Sequence, residues 1–173
     1  MIDFKRVSKS YGKDSKALHD VSFKVDEGEM LFLTGHSGAG KTTILKLLML
    51  MQKVSYGQIQ VQGLDISALK SHKIAQYRRK IGMIYQDHRL LENKTVLQNI
   101  ALSLQIRGYS DAVSIKKAKA ALEQVSIGEK ANFYPQELSS GQQQRVGIAR
   151  ASVSKPDIIL ADDHGHSHTF LKP

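Results

Sequence analysis

A glycine-rich octapeptide constrains this chain more than any other feature. Gly35-His36-Ser37-Gly38-Ala39-Gly40-Lys41-Thr42 lies between an almost unbroken apolar run, residues 30–34 (MLFLT), and a segment of helical composition, residues 41–51. The octapeptide fits the pattern G-x-x-x-x-G-K-[ST], and its place between a buried strand and a helix is the one the chemistry requires. Glycines let the backbone wrap closely around an anion, so that successive N–H groups point at its oxygens. The positive end of the following helix adds to that attraction. In such a loop Lys41 neutralises the β- and γ-phosphates of a nucleotide. The Thr42 hydroxyl ligates Mg²⁺, and Thr43 follows in the same turn. A chance glycine-rich turn is the bland alternative, and the flanking strand and helix together argue against it.

The rest of the chain reads as α/β. Residues 2–7 and 21–25 mix apolar and polar positions as half-buried strands do, whereas residues 30–34 read as a strand buried on both faces. Ile59 and Val61, between Gly57 and Gly63, suggest an edge hairpin, and residues 81–85 another short strand. Residues 87–135 have a different texture. Val96, Leu97, Ile100, Ala101 and Leu104 follow helical spacing behind a Thr95 cap, and residues 111–125 form a second helix rich in Ala and Lys. A helix over about 142–153 and a strand over 157–161 follow, separated by Pro156.

Composition narrows the class. The chain has 173 residues, no Cys, and 25 Lys+Arg against 16 Asp+Glu. That length suits one domain with a real core. The lack of cysteine excludes a disulfide framework, thiolate metal sites and cysteine catalysis. Residues 1–16 hold no apolar core of a secretory signal, and ILKLLMLM falls far short of a bilayer span. The formal charge of +9 favours an anionic partner without choosing among nucleotide, nucleic acid and acidic membrane.

Two further motifs complete a constellation. Residues 158–162 (IILAD) put a carboxylate, Asp162, at the end of an apolar strand, where it can hold Mg²⁺ or its water opposite the phosphate loop. Residues 138–142 (LSSGQ) run into QQRVGIAR shortly before that strand. On these motifs and their order the chain resembles the nucleotide-binding domain of ABC-type ATPases. Its wording at FLTGHSGAGKTT, IGMIYQDHRLL and QQRVGIARA is most similar to the bacterial cell-division (FtsE-type) branch. Lipoprotein-release and macrolide-export ATPases are near relatives of that branch.

The resemblance implies a P-loop NTPase (RecA-like) core over 1–86 and 136–162, with N-terminal antiparallel β strands. It implies a helical insertion subdomain over 87–135, and it sets residues 163–173 apart as an atypical tail. It implies that Tyr11 stacks on adenine and that residues 35–43 hold ATP. Gln86 contacts Mg²⁺ or the attacking water, and Asp162 supports the metal. Ser139, Gly141 and Gln142 address the γ-phosphate of a nucleotide held by a second copy in an ATP-bound homodimer. It also implies an integral membrane partner of the permease type (FtsX-like), contacted around His88, Arg89, Leu90, Leu91 and Glu92. The expected location is cytoplasmic, on the inner face of the membrane. From the residues alone, Tyr11 reads as an ordinary half-buried tyrosine, Gln86 as a solvated strand-end glutamine, and Ser139 as a plain helix cap.

Three departures bear on the chemistry. Ser140 stands where the family has glycine, adding a side chain where backbone approaches phosphate, either tolerated or mildly obstructive. Asp163 stands where the family has the water-activating Glu, and a displacement of about 1 Å can cost on the order of a hundredfold in rate. After Asp163 nothing matches the family's interface loop or switch histidine, so the expectation is a truncated or altered end with poor turnover. His164, His166 and His168 alternate in that tail, and without a second ligand cluster they read as a tail rather than a metal site.

Other readings are available. An ATP-binding but hydrolysis-deficient module shares every binding feature. A small-molecule P-loop kinase shares the phosphate loop but not LSSGQ. Specific nucleic-acid binding has only net charge behind it, with no recognition motif. The basic segment 70–80, with Lys70, Lys73, Arg78, Arg79 and Lys80, reads first as a solvated helix face, and second as a surface for anionic lipid headgroups.

Overall fold

The computed structural model describes residues 1–12 and 15–162, together with the backbone of 169–172. Strands β1 (Ile2–Ser10), β2 (Lys16–Val25) and β3 (Leu31–Leu33) lead into helix α1 (Lys41–Leu48). Then come β4 (Tyr56–Val61), β5 (Leu64–Asp65), α2 (Ser71–Arg78) and β6 (Ile81–Ile84). Helices α3 (Val96–Gln105), α4 (Asp111–Gln124) and α5 (Ser140–Ser152) precede β7 (Ile158–Asp162) and β8 (Thr169–Lys172). The architecture is the α/β class expected, with antiparallel strands at the N-terminus. The chain divides into two compact units, residues 1–81 with 160–173, and residues 82–159.

In the first unit, four strands form an antiparallel sheet in the order β2-β1-β4-β5. Ile2 sits opposite Val25 on one side and Val61 on the other, and Phe4 sits opposite Phe23 and Ile59. Ile2, Phe4, Val25, Ile59 and Val61 are all buried, each contributing about 1.5–3 kcal/mol. Phe4 and Phe23 stack with centroids 4.4 Å apart. The register slips around Arg6, whose φ is +50°. The Arg6 carbonyl there approaches Gly57, where a Cβ would lie 2.3 Å from its oxygen, so the bulge and the glycine require each other. The expected edge hairpin is present, with Val61 opposite Leu64 and Gln60 opposite Asp65 across a turn at Gly63. β4 is an inner strand held by β1, and the edge is the two-residue β5.

α1 buries Thr43, Ile44, Leu45, Leu47 and Leu48, which accounts for its apolar residues, while Lys46 stays exposed. Its C-terminal carbonyls are met by α2. The Tyr77 hydroxyl donates to Leu48 O at 2.8 Å, and the Arg78 guanidinium donates to Met49 O at 2.8 Å and Leu50 O at 3.1 Å. A cation at a helix C-terminus is favourable on two counts, hydrogen bonding and dipole. Burial raises the Tyr77 phenol well above its ordinary pKa, so this donor stays protonated.

The second sheet runs β3-β8-β7-β6, with β8 antiparallel to β3. Two expectations change here. β3 stands at a sheet edge and leaves Phe32 47% exposed, so its apolar run does not mark a strand buried on both faces. Part of the tail, Thr169–Lys172, is a strand between β3 and β7, although its composition signals none. His164, His166 and His168 lie outside the described residues.

In the second unit, α3, α4 and α5 pack on one another around Val96, Ile100, Leu104, Ala118, Leu122 and Val146. Thr95 caps α3 as expected, in a reciprocal box with Gln98. The structure further shows Asn99 buried within this helical packing. Its side-chain amide donates to the carbonyls of Leu91, Lys94 and Thr95 at 3.0 Å each, and its oxygen accepts from Leu91 N at 2.7 Å. Every hydrogen-bonding position of the side chain but one acceptor lone pair is used, which is what makes a buried amide tolerable.

Candidate nucleotide-binding site

The phosphate loop belongs to the first unit and is shaped by its glycines. Gly35, Gly38 and Gly40 have φ of +147°, +82° and +89°. Gly40 also packs so tightly on β2 that a Cβ would lie 2.6 Å from both Ala17 O and Leu18 Cδ2. Helix α1 starts directly after it, with Ile44 N donating to Gly40 O at 3.0 Å. No side chain caps this helix at Gly40. The N–H groups ahead of Ile44 precede the helical ladder, where an anion can use them. Ser37, Gly38 and Ala39 are exposed, and His36 Nδ1 donates to Ser37 O at 2.7 Å. Thr43 is buried.

Lys41 folds back over the loop and donates to Gly35 O and, at 3.1 Å, to His36 O. Its ammonium is thus held at the start of the loop by two carbonyls that a phosphate can replace. The Thr42 hydroxyl reaches Asp162 Oδ1 at 3.4 Å, bringing together two residues far apart in the sequence. A hydroxyl and a carboxylate are hard oxygen donors of the kind Mg²⁺ takes, and Mg²⁺ fills its octahedron with phosphate oxygens and water rather than a full protein cage. That donor set fits the ion. Among the described residues no group of three or more His, Cys, Asp or Glu forms a metal cage of another kind. Tyr11 is 48% exposed at the end of β1, with Lys9 Nζ 5.1 Å from its ring centre, so its ring is available for stacking. Asp163 lies outside the described residues.

The second unit holds the other residues singled out from the sequence. Ser139 and Gln142 form a capping box at the start of α5. Gln142 N donates to Ser139 Oγ at 3.3 Å, and Ser139 N donates to Gln142 Oε1 at 2.9 Å. The plain cap is therefore realised, and it presents the helix N-terminus with exposed Ser140 and Gly141. A Cβ at Gly141 would meet nothing within 4 Å, so the side left free by this segment is open.

Gln86 is exposed just after β6, at the head of a loop with unusual backbone. His88 and Arg89 both have positive φ, +55° and +44°. Their carbonyls accept from the Arg150 guanidinium of α5, at 2.6 Å for His88 O and 2.7 Å for Arg89 O. Arg89 itself lies 4.4 Å from the Tyr85 ring centre and pairs with Asp87 at 3.2 Å. Burial lowers the Arg150 guanidinium from its ordinary pKa, though a guanidinium remains charged. The segment of His88 to Glu92 is thus held by Arg150 at one end and by Asn99, through Leu91, at the other. Sequence reasoning missed both residues. Asn99 could have been found as the polar residue among the apolar positions of α3; nothing local marks Arg150.

Known proteins resemble the chain throughout. The family description "ABC transporter" matches residues 18–164. The cell division ATP-binding protein FtsE of Escherichia coli K12 is 49% identical over 163 residues, covering 94% of this chain and 73% of that protein. FtsE of Haemophilus influenzae is 47% identical over 164 residues, covering 94% and 75%. The methionine import ATP-binding protein MetN 1 of Pseudomonas fluorescens is 43% identical over 167 residues, covering 94% and 50%. Among solved structures, the dimeric post-hydrolysis state of the ATP-binding cassette MJ0796, bound to ADP and Pi, superposes with a TM-score of 0.84. It is 32% identical and covers 96% of this chain and 75% of that one.

Proposed function

The chain belongs to the ABC transporter family of ATP-binding domains, and on that premise we propose that it is the ATP-binding subunit of an FtsE-type complex acting in cell division. The observation that carries the reading is the meeting of the glycine loop, Lys41, Thr42 and Asp162 at one end of α1. Residues 35–43 bind the triphosphate, and Tyr11 stacks on the adenine. Thr42 and Asp162 would hold Mg²⁺, with Gln86 as a further ligand, and the ion would supply neutralisation of phosphate charge when bound. Gln86 and Asp163 orient the attacking water, Asp163 as the general base that takes its proton.

Ser139, Gly141 and the amide end of α5 serve the γ-phosphate of a second copy, so ATP closes a homodimer and hydrolysis reopens it. The likeness to a dimeric cassette with ADP and Pi supports that cycle. The partner is an FtsX-like integral membrane subunit, engaged by the loop from His88 to Glu92. The chain sits at the inner face of the membrane beside it. No helix among the described residues is long and apolar enough to cross a membrane, in keeping with a peripheral role.

The shorter carboxylate at Asp163 favours a second reading, an ATP-binding module with slow turnover. Two measurements on the full chain separate the possibilities. Static light scattering is expected to show dimer with ATP and Mg²⁺ and monomer with ADP. Steady-state phosphate release is expected to be low. Robust dimer-dependent turnover rejects the slow-turnover reading, and a mass indifferent to nucleotide rejects the dimer cycle.

A further inference from the structure

The first unit carries a surface that nucleotide binding does not use. Between Glu29 and Asp87 the sequence has one acid, Asp65, against Lys41, Lys46, Lys53, Lys70, Lys73, Arg78, Arg79 and Lys80. Lys41 belongs to the phosphate loop and Arg78 meets the carbonyls at the end of α1. Lys46, Lys53, Lys70, Lys73, Arg79 and Lys80 are exposed. The single acid offsets little of this charge. Asp65 accepts from Gln58 Nε2 of β4 at 2.7 Å and from Ser67 N, two residues on, at 2.9 Å.

Helix stability does not explain the pattern. Lys70 and Lys73 stand at the start of α2, with no acid in its first turn, where a cation opposes the helix dipole. Only Tyr77 of this helix is buried. Beside it opens an apolar groove lined by Leu50, Val54, Ile66, Leu69 and Ile74, with Lys53 among its walls. Met51 is exposed next to it in sequence.

We propose that this face docks on the surface of an anionic phospholipid bilayer, the cations of α2 and Lys53 lying on headgroup phosphates and the groove facing the acyl boundary. A bilayer supplies an anionic layer and an apolar layer together, which a nucleic acid does not. The cations are mostly lysines, point charges on long apolar stems. These suit a plane of headgroups better than the forked pairing with carboxylates that arginine favours in a peptide interface. The contact goes beyond the ATP cycle and needs no nucleotide, so its failure leaves the ATP reading untouched.

Cosedimentation of the full chain with vesicles tests it. Vesicles containing phosphatidylglycerol are expected to retain the protein, pure phosphatidylcholine vesicles are not, and raised salt releases it. The triple variant Lys70→Glu/Lys73→Glu/Arg79→Glu is expected to lose roughly tenfold or more in vesicle partition. Lys116→Glu/Lys117→Glu/Lys119→Glu, with the same charge change on exposed positions of α4, is expected to keep most of it. Unchanged ATP binding by both variants confirms their folding, since none of these residues lies in the phosphate loop. Absence of vesicle binding, equal binding to both lipids, or equal loss in both variants overturns the proposal, the last by reducing it to net charge. Binding of an acidic peptide without binding of vesicles overturns it in favour of a protein partner.

Discussion

Lys41→Ala is expected to weaken ATP binding roughly a hundredfold, read by titration with a fluorescent ATP analogue in Mg²⁺. An ammonium about 4 Å from a phosphate charge is worth up to ~4 kcal/mol near a protein surface. Against this stands the release of Lys41 from Gly35 O and His36 O, and hydrogen bonds to a charged group are worth about 1.5–3 kcal/mol. These bonds are partly replaced by bonds to phosphate, which leaves about 2.5 kcal/mol, or close to two orders of magnitude. The alanine variant also leaves two loop carbonyls without their cation beside a polyanion. Lys41→Arg restores charge without the compact ammonium, so only partial recovery is expected. An alanine variant that binds as tightly as the wild type would show that the nucleotide does not use this loop.

Gly40→Ala is expected to cost about 3 kcal/mol of stability and lower the melting temperature by roughly 6–12 °C. The φ of +89° penalises any side chain by about 1–2 kcal/mol. The rest is overlap, because the new methyl would sit 2.6 Å from Ala17 O and from Leu18 Cδ2. Neither neighbour yields easily. Leu18 is buried and opposite Lys9 in the β1–β2 ladder, and Ala17 lies between that pair and the Ser10–Lys16 pair. Gly38→Ala is the internal control. It shares the positive φ, but a Cβ there meets nothing within 4 Å, so only the conformational part remains. Equal melting temperatures for the two variants would contradict the close packing of Gly40 on β2.

Legibility from the sequence follows the range of the interaction. The Thr95 and Ser139 caps were readable because each closes on a residue three positions away, Gln98 and Gln142. The loop between Gly35 and Thr42 was readable because its glycines, lysine and helix are contiguous. The approach of Thr42 to Asp162 spans most of the chain, and only the order of motifs pointed to it. Arg150 gave no warning, since its partners are main-chain carbonyls, and a carbonyl has no sequence identity. The apolar run before the phosphate loop misled because hydrophobicity reports potential burial. The position of β3 at a sheet edge leaves Phe32 half exposed. The strand at Thr169–Lys172 was invisible because four residues carry no periodicity and no turn signal of their own.

Calorimetric titration of the wild-type chain with ATP, with and without Mg²⁺, tests the central claim most directly. The geometry of Lys41, Thr42 and Asp162 predicts saturable binding of one nucleotide per chain, tightened when Mg²⁺ is present. Binding that does not saturate, or that is indifferent to Mg²⁺, would contradict it.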